Sequence, residues 1–395
     1  MKLIVDENLL SFKVLEQKIF DYVCELGRQI TQQILEAYDT ELAESRDKKH
    51  YRGKGKRKTC IKTVYGEVEY KRAVYRTKTE QGENAYVYLL DEAMQMDKIG
   101  LISTNLAEKI AMTVTESPYR VTAETISNTC GQSISSGGVW NMMQRLGERL
   151  DEEEQYAVKE MDGIWLHMQD SSHKRMKKQE MKVFTMYEGW DKDQQRRSTL
   201  VGKTMLAGME TSRLFHEKRE ALIEKKYDVD EIQQRILNGD GGSWIKETYD
   251  PDAIFQLDRY HVYQEILRKI SDRNAQREAR NLFEEGKTEK LLEFLLVYAD
   301  SVETTDEKDK RSRNARELYR YLNNNKVGLL PYQKQGKKIP EPGEGIVYKN
   351  MGVQESQNCT VITMRMKHRR MRWSIKGASN MAKVLCCKEN KELCH

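Results

Sequence analysis

No two of the seven cysteines stand at C-x-x-C spacing, and the one close couple is the adjacent pair Cys386 and Cys387. That excludes the usual zinc-ribbon arrangement and points to a reducing, cytoplasmic setting. Nor is there an apolar run near the roughly 18 residues that a membrane-spanning helix needs. Met1 opens directly onto a charged amphipathic segment, so neither a membrane span nor a secretory signal is expected. Internal repeats are absent, and so is a dominant charge sign: 67 basic and 62 acidic residues leave a net charge of only +5.

With the total nearly cancelled, the local distribution of charge carries the information. Residues Lys48 to Lys58 read "KKHYRGKGKRK", seven Lys or Arg in eleven positions, and "RMKHRRMRW" from Arg365 to Trp373 is nearly as dense. Two basic clusters suggest a polyanion partner, most commonly nucleic acid. The cations expected at DNA are Lys54, Lys56, Arg57 and Lys58 in the first cluster, and Arg365, Lys367, Arg369, Arg370 and Arg372 in the second. The bland alternative is a solvated charged face.

The chain of 395 residues is long enough for two or three domains. Phe12, Leu15, Ile19, Val23, Leu26, Ile30 and Ile34 recur every three to four residues, which predicts one helix from about Asn8 to Glu44. It packs on its own domain or forms a dimerisation coil, since the spacing also suits a coiled seam. After the first basic cluster, "TCIKTVYGEVEYKRAVYR" reads as a hairpin turning at Tyr65-Gly66. Helical periodicity returns from Leu101 to Leu150, with Ser117 and Pro118 at the N-cap and first position of one helix. The break "CGQSISSGG" before "VWNMMQRLGERL" gives the shape of a helix-turn-helix, capped by Ser135 or Ser136. Plain helix packing yields the same pattern.

From Lys159 the texture becomes β-rich: "MDGIWLHM", "KVFTMYEGW" and "STLVGKTMLAGM" predict three strands of an antiparallel meander. A helix near Ser212 to Lys226, a strand "RILNGD", a short helix from Ser243 and a strand "AIFQLD" follow. Strand, helix, strand implies parallel pairing through a right-handed crossover. His261 to Arg273 reads as a helix, and a long charged helical run beginning "NAQREARNLFEE" looks inserted before the Pro/Gly loop "KQGKKIPEPGEG".

Asp162 opens one strand and Asp240 closes a later one, so with a carboxylate on a later helix three acids can meet at one end of a mixed sheet. Asp and Glu oxygens suit Mg²⁺ or Mn²⁺, hard cations that prefer oxygen ligands. Such ions assist in-line displacement at phosphorus. Gly239, Gly241 and Gly242 around Asp240 allow backbone to approach metal or phosphate, although Asp-Gly is also a common turn dipeptide. The tryptophans Trp165, Trp190, Trp244 and Trp373 read as packing residues, with Trp373 set apart by its basic neighbours.

Taken in order, "MDGIWLHMQ", "YEGW", "LNGDGGSWIKE", "AIFQLDRYHVYQ" and "RMKHRRMRWSIKGASNMA" resemble the ISLre-type group of bacterial insertion-sequence transposases, an uncharacterised protein family. The likeness runs from the hairpin almost to the C-terminus. It implies a DDE-type transposase with an α/β ribonuclease-H-like mixed sheet, a helical insertion, and a mainly helical N-terminal region carrying a small β-hairpin. By this resemblance Asp162, Asp240 and Glu355 are the catalytic, metal-binding acids, with Glu341 and Glu344 as weaker rivals for the third place. Asp258 and His261 resemble an accessory pair that makes an extra metal contact, shuttles a proton or holds the insertion by a hydrogen bond. Family members also continue past "WSIKGAS", which implies that this chain is a shortened copy.

The expected organisation is a long helix over 1–47, a basic hairpin region over 48–98, and a helix-turn-helix-like region over 99–155. A core of 156–272 and 345–395 follows, with the insertion over 273–344. The expected partners are the DNA of element ends and target, and further copies of the chain. A DNA-binding regulator without catalysis needs the basic clusters but not the acids. A metal-dependent nuclease needs the acids without strand transfer.

Overall fold

The computed structural model describes residues 12–79, 83–94, 96, 102–153, 160–193, 199–227, 229, 232, 234–246, 253–304, 309–367 and 371–392. It forms two compact units that divide between Arg149 and Leu150.

In the first unit, helix α1 (Phe12–Ser45) lies on an antiparallel sheet of β1 (Arg52–Thr63), β2 (Gly66–Lys78) and β3 (Asn84–Val87), ordered β1-β2-β3. The hairpin expected from the sequence thus gains a third strand, and its first strand starts earlier. Lys54, Lys56, Arg57 and Lys58 belong to β1 itself rather than to a preceding arm. Gly66 opens β2 at φ +119°, where a Cβ would meet the Gly131 carbonyl oxygen at 2.9 Å. Only glycine makes this turn without strain. Leu35 of α1 joins Ile61, Val68, Tyr70 and Leu90 in a small core, Leu90 coming from α2 (Leu89–Ala93).

Asp39 on α1 is 1% exposed. Its Oδ1 accepts the Ala73 N–H at 2.9 Å, and its Oδ2 lies 3.0 Å from Lys56 Nζ. Asp39→Ala would leave that buried N–H unpaired, a loss of about 1–3 kcal/mol. Urea unfolding of the variant is expected to show a lower midpoint with an unchanged slope.

Helices α3 (Thr104–Glu116) and α4 (Tyr119–Thr129) and the greater part of α5 (Ser136–Glu153), up to Arg149, also belong to this unit. Ser103 caps α3 by accepting the Leu106 N–H at 3.3 Å. Helix α4 begins one residue later than the Ser-Pro signal predicts, with Pro118 at the cap position. Ser117 is drawn back instead, its Oγ lying 3.0 Å from the Thr113 carbonyl and 2.9 Å from Thr122 Oγ1. Of the two serines proposed for α5, Ser135 accepts the Gly138 N–H at 3.1 Å.

The second unit is built on a five-stranded mixed sheet. Its strands are β4 (Glu160–Leu166), β5 (Gln179–Met186), β8 (Thr204–Gly208), β9 (Ile236–Gly239) and β10 (Ile254–Leu257), ordered β10-β9-β4-β5-β8. β4, β5 and β8 pair antiparallel, whereas β9 pairs parallel with both β4 and β10. A second small sheet, absent from the sequence reading, comprises β6 (Gly189–Asp191), β7 (Leu200–Val201) and β11 (Ile346–Val347).

Helix α6 (Ser212–Lys226) and the short α7 (Ser243–Lys246) cover one part of the main sheet. Phe215, Ile223 and Ile245 pack there with Phe184, Met186, Leu206 and Leu237. Helix α14 (Ile375–Glu389), buried from Gly377 to Cys387 except at Ser379, packs on β8.

The helix expected over His261 to Arg273 is α8 (Arg259–Lys269), which stops before Asp272 caps α9 (Arg273–Glu284). α10 (Thr288–Ser301) and α11 (Arg311–Asn324) follow. These helices share one core, in which Val262, Ile266 and Ile270 meet Phe283, Leu295 and Leu318. The inserted helices are therefore anchored through α8 to the end of β10. The chain returns through β11 to α12 (Gln354–Gln357), a π-helical turn over Asn358–Thr363, and α13 (Met364–Met366).

Candidate active site

Strand register brings the first two acids together. Glu160 pairs with Asn238 and Met161 with Gly239 across the parallel β4 and β9. Asp162 and Asp240 each follow directly on the last of these paired residues, Asp162 still within β4 and Asp240 just past the end of β9. Asp162 also pairs with Val183 of β5. Its side chain lies outside the described residues.

Asp240 leaves the sheet at the C-terminal end of β9, where open parallel strands present ligands. Its Oδ1 accepts the Gly242 N–H at 2.8 Å, and the Tyr321 hydroxyl of α11 donates to its carbonyl oxygen at 2.8 Å. Gly241 sits at φ +83°, where a Cβ would meet Asn325 Oδ1 at 2.5 Å. The Asp-Gly-Gly turn therefore rests directly on the end of α11. Burial first, then the Asp240, Glu265 and Asp258 carboxylates, raise the Tyr321 phenol above its ordinary pKa, so it remains a donor throughout the physiological range.

Tyr321→Phe would remove that hydrogen bond, worth about 1 kcal/mol net. Because it holds the backbone that carries Asp240, the variant is expected to unfold at a lower urea concentration with an unchanged slope.

One strand further out, Asp258 follows β10 and caps α8. Its Oδ1 accepts the Tyr260 and His261 N–H groups at 2.8 and 3.4 Å, and its Oδ2 accepts the Asn238 side-chain amide at 2.7 Å. Asn238 in turn accepts from Gln256 at 3.0 Å, and Gln256 accepts the Tyr332 N–H at 3.0 Å. Asp258 is 3% exposed. Of the options weighed for it, these contacts fit the structural hydrogen bond, because both carboxylate oxygens are already engaged by the protein.

The cap sets the first turn of α8, which carries His261. His261 Nε2 lies 3.4 Å from Glu355 Oε1, across 94 residues of intervening chain. Glu355 stands on α12, which packs against β4 and β5. His261 thus meets Glu355, and the Glu355 helix packs on β4, the strand whose Met161 pairs with Gly239. The rivals Glu341 and Glu344 are exposed in the loop before β11, a strand that pairs with β6 of the other sheet.

The second basic cluster divides. Arg365 is buried, with its guanidinium 5.5 Å from the centre of the Trp373 ring. It is a packing cation and is withdrawn from the DNA-contacting set. Trp373 is buried too, its indole N–H donating to the Met366 carbonyl at 2.9 Å, so it packs like a core residue despite its basic neighbours. Trp165, read as a packing residue, is instead 52% exposed. Lys367 and Arg372 are exposed, while Arg369 and Arg370 lie outside the described residues.

Backbone bonds between Trp373 and both His167 and Gln169 dock this segment beside the end of β4. There the cluster meets cations from the loop before β5. Lost hydration first, then Lys178, Arg175, Arg372 and Lys367, hold the His167 imidazole below its ordinary pKa. In the first unit, Lys56 pairs with Asp39 and Lys58 lies 2.5 Å from Glu69, whereas Lys54 and Arg57 are exposed.

Sequence reasoning missed Tyr321, Asn325, Asn238, Arg175 and Lys178. The first two are polar positions in an inserted helical block and carry no local sign of the turn they support. The lysines and arginines of "SSHKRMKKQ" were readable as a basic run, but their proximity to Arg372 follows only from the fold.

A family model described as Uncharacterised protein family (UPF0236) matches residues 5–393. The chain belongs to this family. Curated UPF0236 relatives from Caldanaerobacter subterraneus subsp. tengcongensis include one that is 24% identical over 97% of this chain and 79% of its own length. Another is 24% identical over 94% of this chain and 77% of its own. The name of the first joins eleven gene designations of one strain, and that of the second joins four.

Proposed function

We propose that this UPF0236 chain is a DDE-type DNA transposase of the ISLre group, with a ribonuclease-H-like core in its second unit. The observation that supports the reading is the parallel register pairing Met161 with Gly239, the residues immediately before Asp162 and Asp240, with the Glu355 helix packed on β4. The sheet order β10-β9-β4-β5-β8, with three antiparallel strands followed by two parallel ones, supports a core of that type. The relatives add a further line of support, since many gene designations under one protein name in one strain are what a self-multiplying gene leaves behind.

Among the described residues no group of three or more His, Cys, Asp and Glu side chains forms a metal-binding set, and the Asp162 side chain is not among those described. The donors that Asp240 and Glu355 offer are all oxygen, which fits Mg²⁺ or Mn²⁺. With Asp162 they would hold the ion, which when bound lowers the pKa of a ligated water and offsets charge on the departing oxygen.

The protein's own part is to position DNA. Lys367 and Arg372, with Arg175 and Lys178, would grip phosphates flanking the scissile bond, and exposed Lys54 and Arg57 would add affinity from the first unit. A water oxygen attacks phosphorus at the element end and the bond to O3′ breaks, leaving a 3′-hydroxyl. That hydroxyl then attacks a target phosphate, displacing the target's own O3′.

The test is incubation of the purified chain with labelled DNA carrying its element ends, plus Mg²⁺ or Mn²⁺. Nicking at the ends followed by joined products is the expected result. Nicking without joining would reduce the reading to a nuclease, and binding without nicking in either metal would leave a DNA-binding regulator.

A further inference from the structure

We infer that α1 forms a coiled seam with α1 of a second copy of this chain. The helix has two faces. Cys24, Leu35 and Asp39 are buried on one, while Phe12, Ile19, Val23, Leu26, Ile30 and Ile34 are 43–76% exposed. At about 100° per residue these six side chains fall within an arc of roughly 80°, turned well away from the buried face. A monomer rarely leaves so continuous an apolar surface open to water.

The geometry of the stripe selects its occupant. Ile19, Val23, Leu26 and Ile30 alternate in steps of four and three, the spacing that keeps a seam facing another helix as the two wind together. Phe20 and Tyr22, 37% and 54% exposed, flank the stripe on either side, so the open apolar face of α1 is broader than the seam itself. From Phe12 to Ile34 it runs about 33 Å, three heptads. Six half-exposed side chains amount to several hundred Å², the scale of the roughly 800 Å² that each partner contributes to a stable interface.

The complement is the same seam on another copy. Among the described residues no other helix exposes more than two large apolar side chains. A two-fold axis across α1 makes one stripe serve as both surfaces. This pairing holds whether or not the chain cuts DNA.

Sedimentation equilibrium of the full chain at micromolar concentration tests it. Wild type is expected to be dimeric. Ile19→Glu with Ile30→Glu places like charges in the seam, and dimerisation is expected to weaken at least about a hundredfold. The pair Ile19→Lys with Ile30→Lys is expected to do the same. Because both sites are exposed in the single chain, each variant keeps its helical circular dichroism, and mixing the two restores a heterodimer. Wild type that stays monomeric, Glu variants that dimerise as before, or a mixture that fails to pair would each overturn the inference.

Discussion

The Asp240→Asn variant is expected to lose metal-dependent nicking at element ends by about a thousandfold or more, which corresponds to several kcal/mol of transition-state stabilisation. The substitution keeps the shape of the side chain and an oxygen that can accept the Gly242 N–H. It removes the charge that, in the proposed site, would hold a divalent ion. The Tyr321 bond reaches the backbone carbonyl of residue 240 and is unaffected, so the turn is expected to keep its conformation. Band-shift affinity for the same DNA should therefore match wild type, and circular dichroism should be unchanged. Nicking within about tenfold of wild type would remove Asp240 from the metal site and, with it, the reading of a paired-acid centre.

Asp258→Ala has the second largest expected effect, on stability. The variant loses the N-cap of α8, worth about 1–2 kcal/mol. It also strands the buried Asn238 amide, which costs about 1–3 kcal/mol more. Together these lower the unfolding free energy of the second unit by about 3 kcal/mol. Tryptophan fluorescence in urea reports on it, because Trp165, Trp190, Trp244 and Trp373 all lie there. Asp258→Asn retains an acceptor for the Tyr260 N–H but turns toward Asn238 a group that cannot both cap and accept, so it is expected to fall between the two. A variant as stable as wild type but inactive would contradict the capping role and return Asp258 to the chemistry.

These two carboxylates differ in how far the sequence alone could take them. Asp240 is legible because an apolar strand run ends in Asp-Gly-Gly, and that local pattern survives as β9 and its turn. The five main strands were readable for the same reason, each being a short β-rich run. Their register was not, since the pairing of Met161 with Gly239 depends on contacts across 78 residues. Asp258 entered as a partner of His261 through the family resemblance, and of the options open for it the contacts fit the hydrogen bond, made here as a helix cap. Arg365 shows the converse limit: a basic run looks solvated in sequence, and only the burial of Trp373 turns one of its members inward. The residues of β6 and β7 were read as parts of longer runs, and their separation into a second sheet with β11 escaped notice because two or three residues carry no periodicity.

Whether residues 162, 240 and 355 meet at one divalent cation is tested, without requiring activity, by iron-directed cleavage of the protein backbone. Fe²⁺ replaces Mg²⁺, peroxide and ascorbate generate hydroxyl radicals at the bound ion, and the fragments are mapped by mass. Cuts clustered near Asp162, Asp240 and Glu355, suppressed by excess Mg²⁺ and lost in Asp240→Asn, are predicted. Cuts scattered elsewhere, or unaffected by Mg²⁺ and by the substitution, would contradict it.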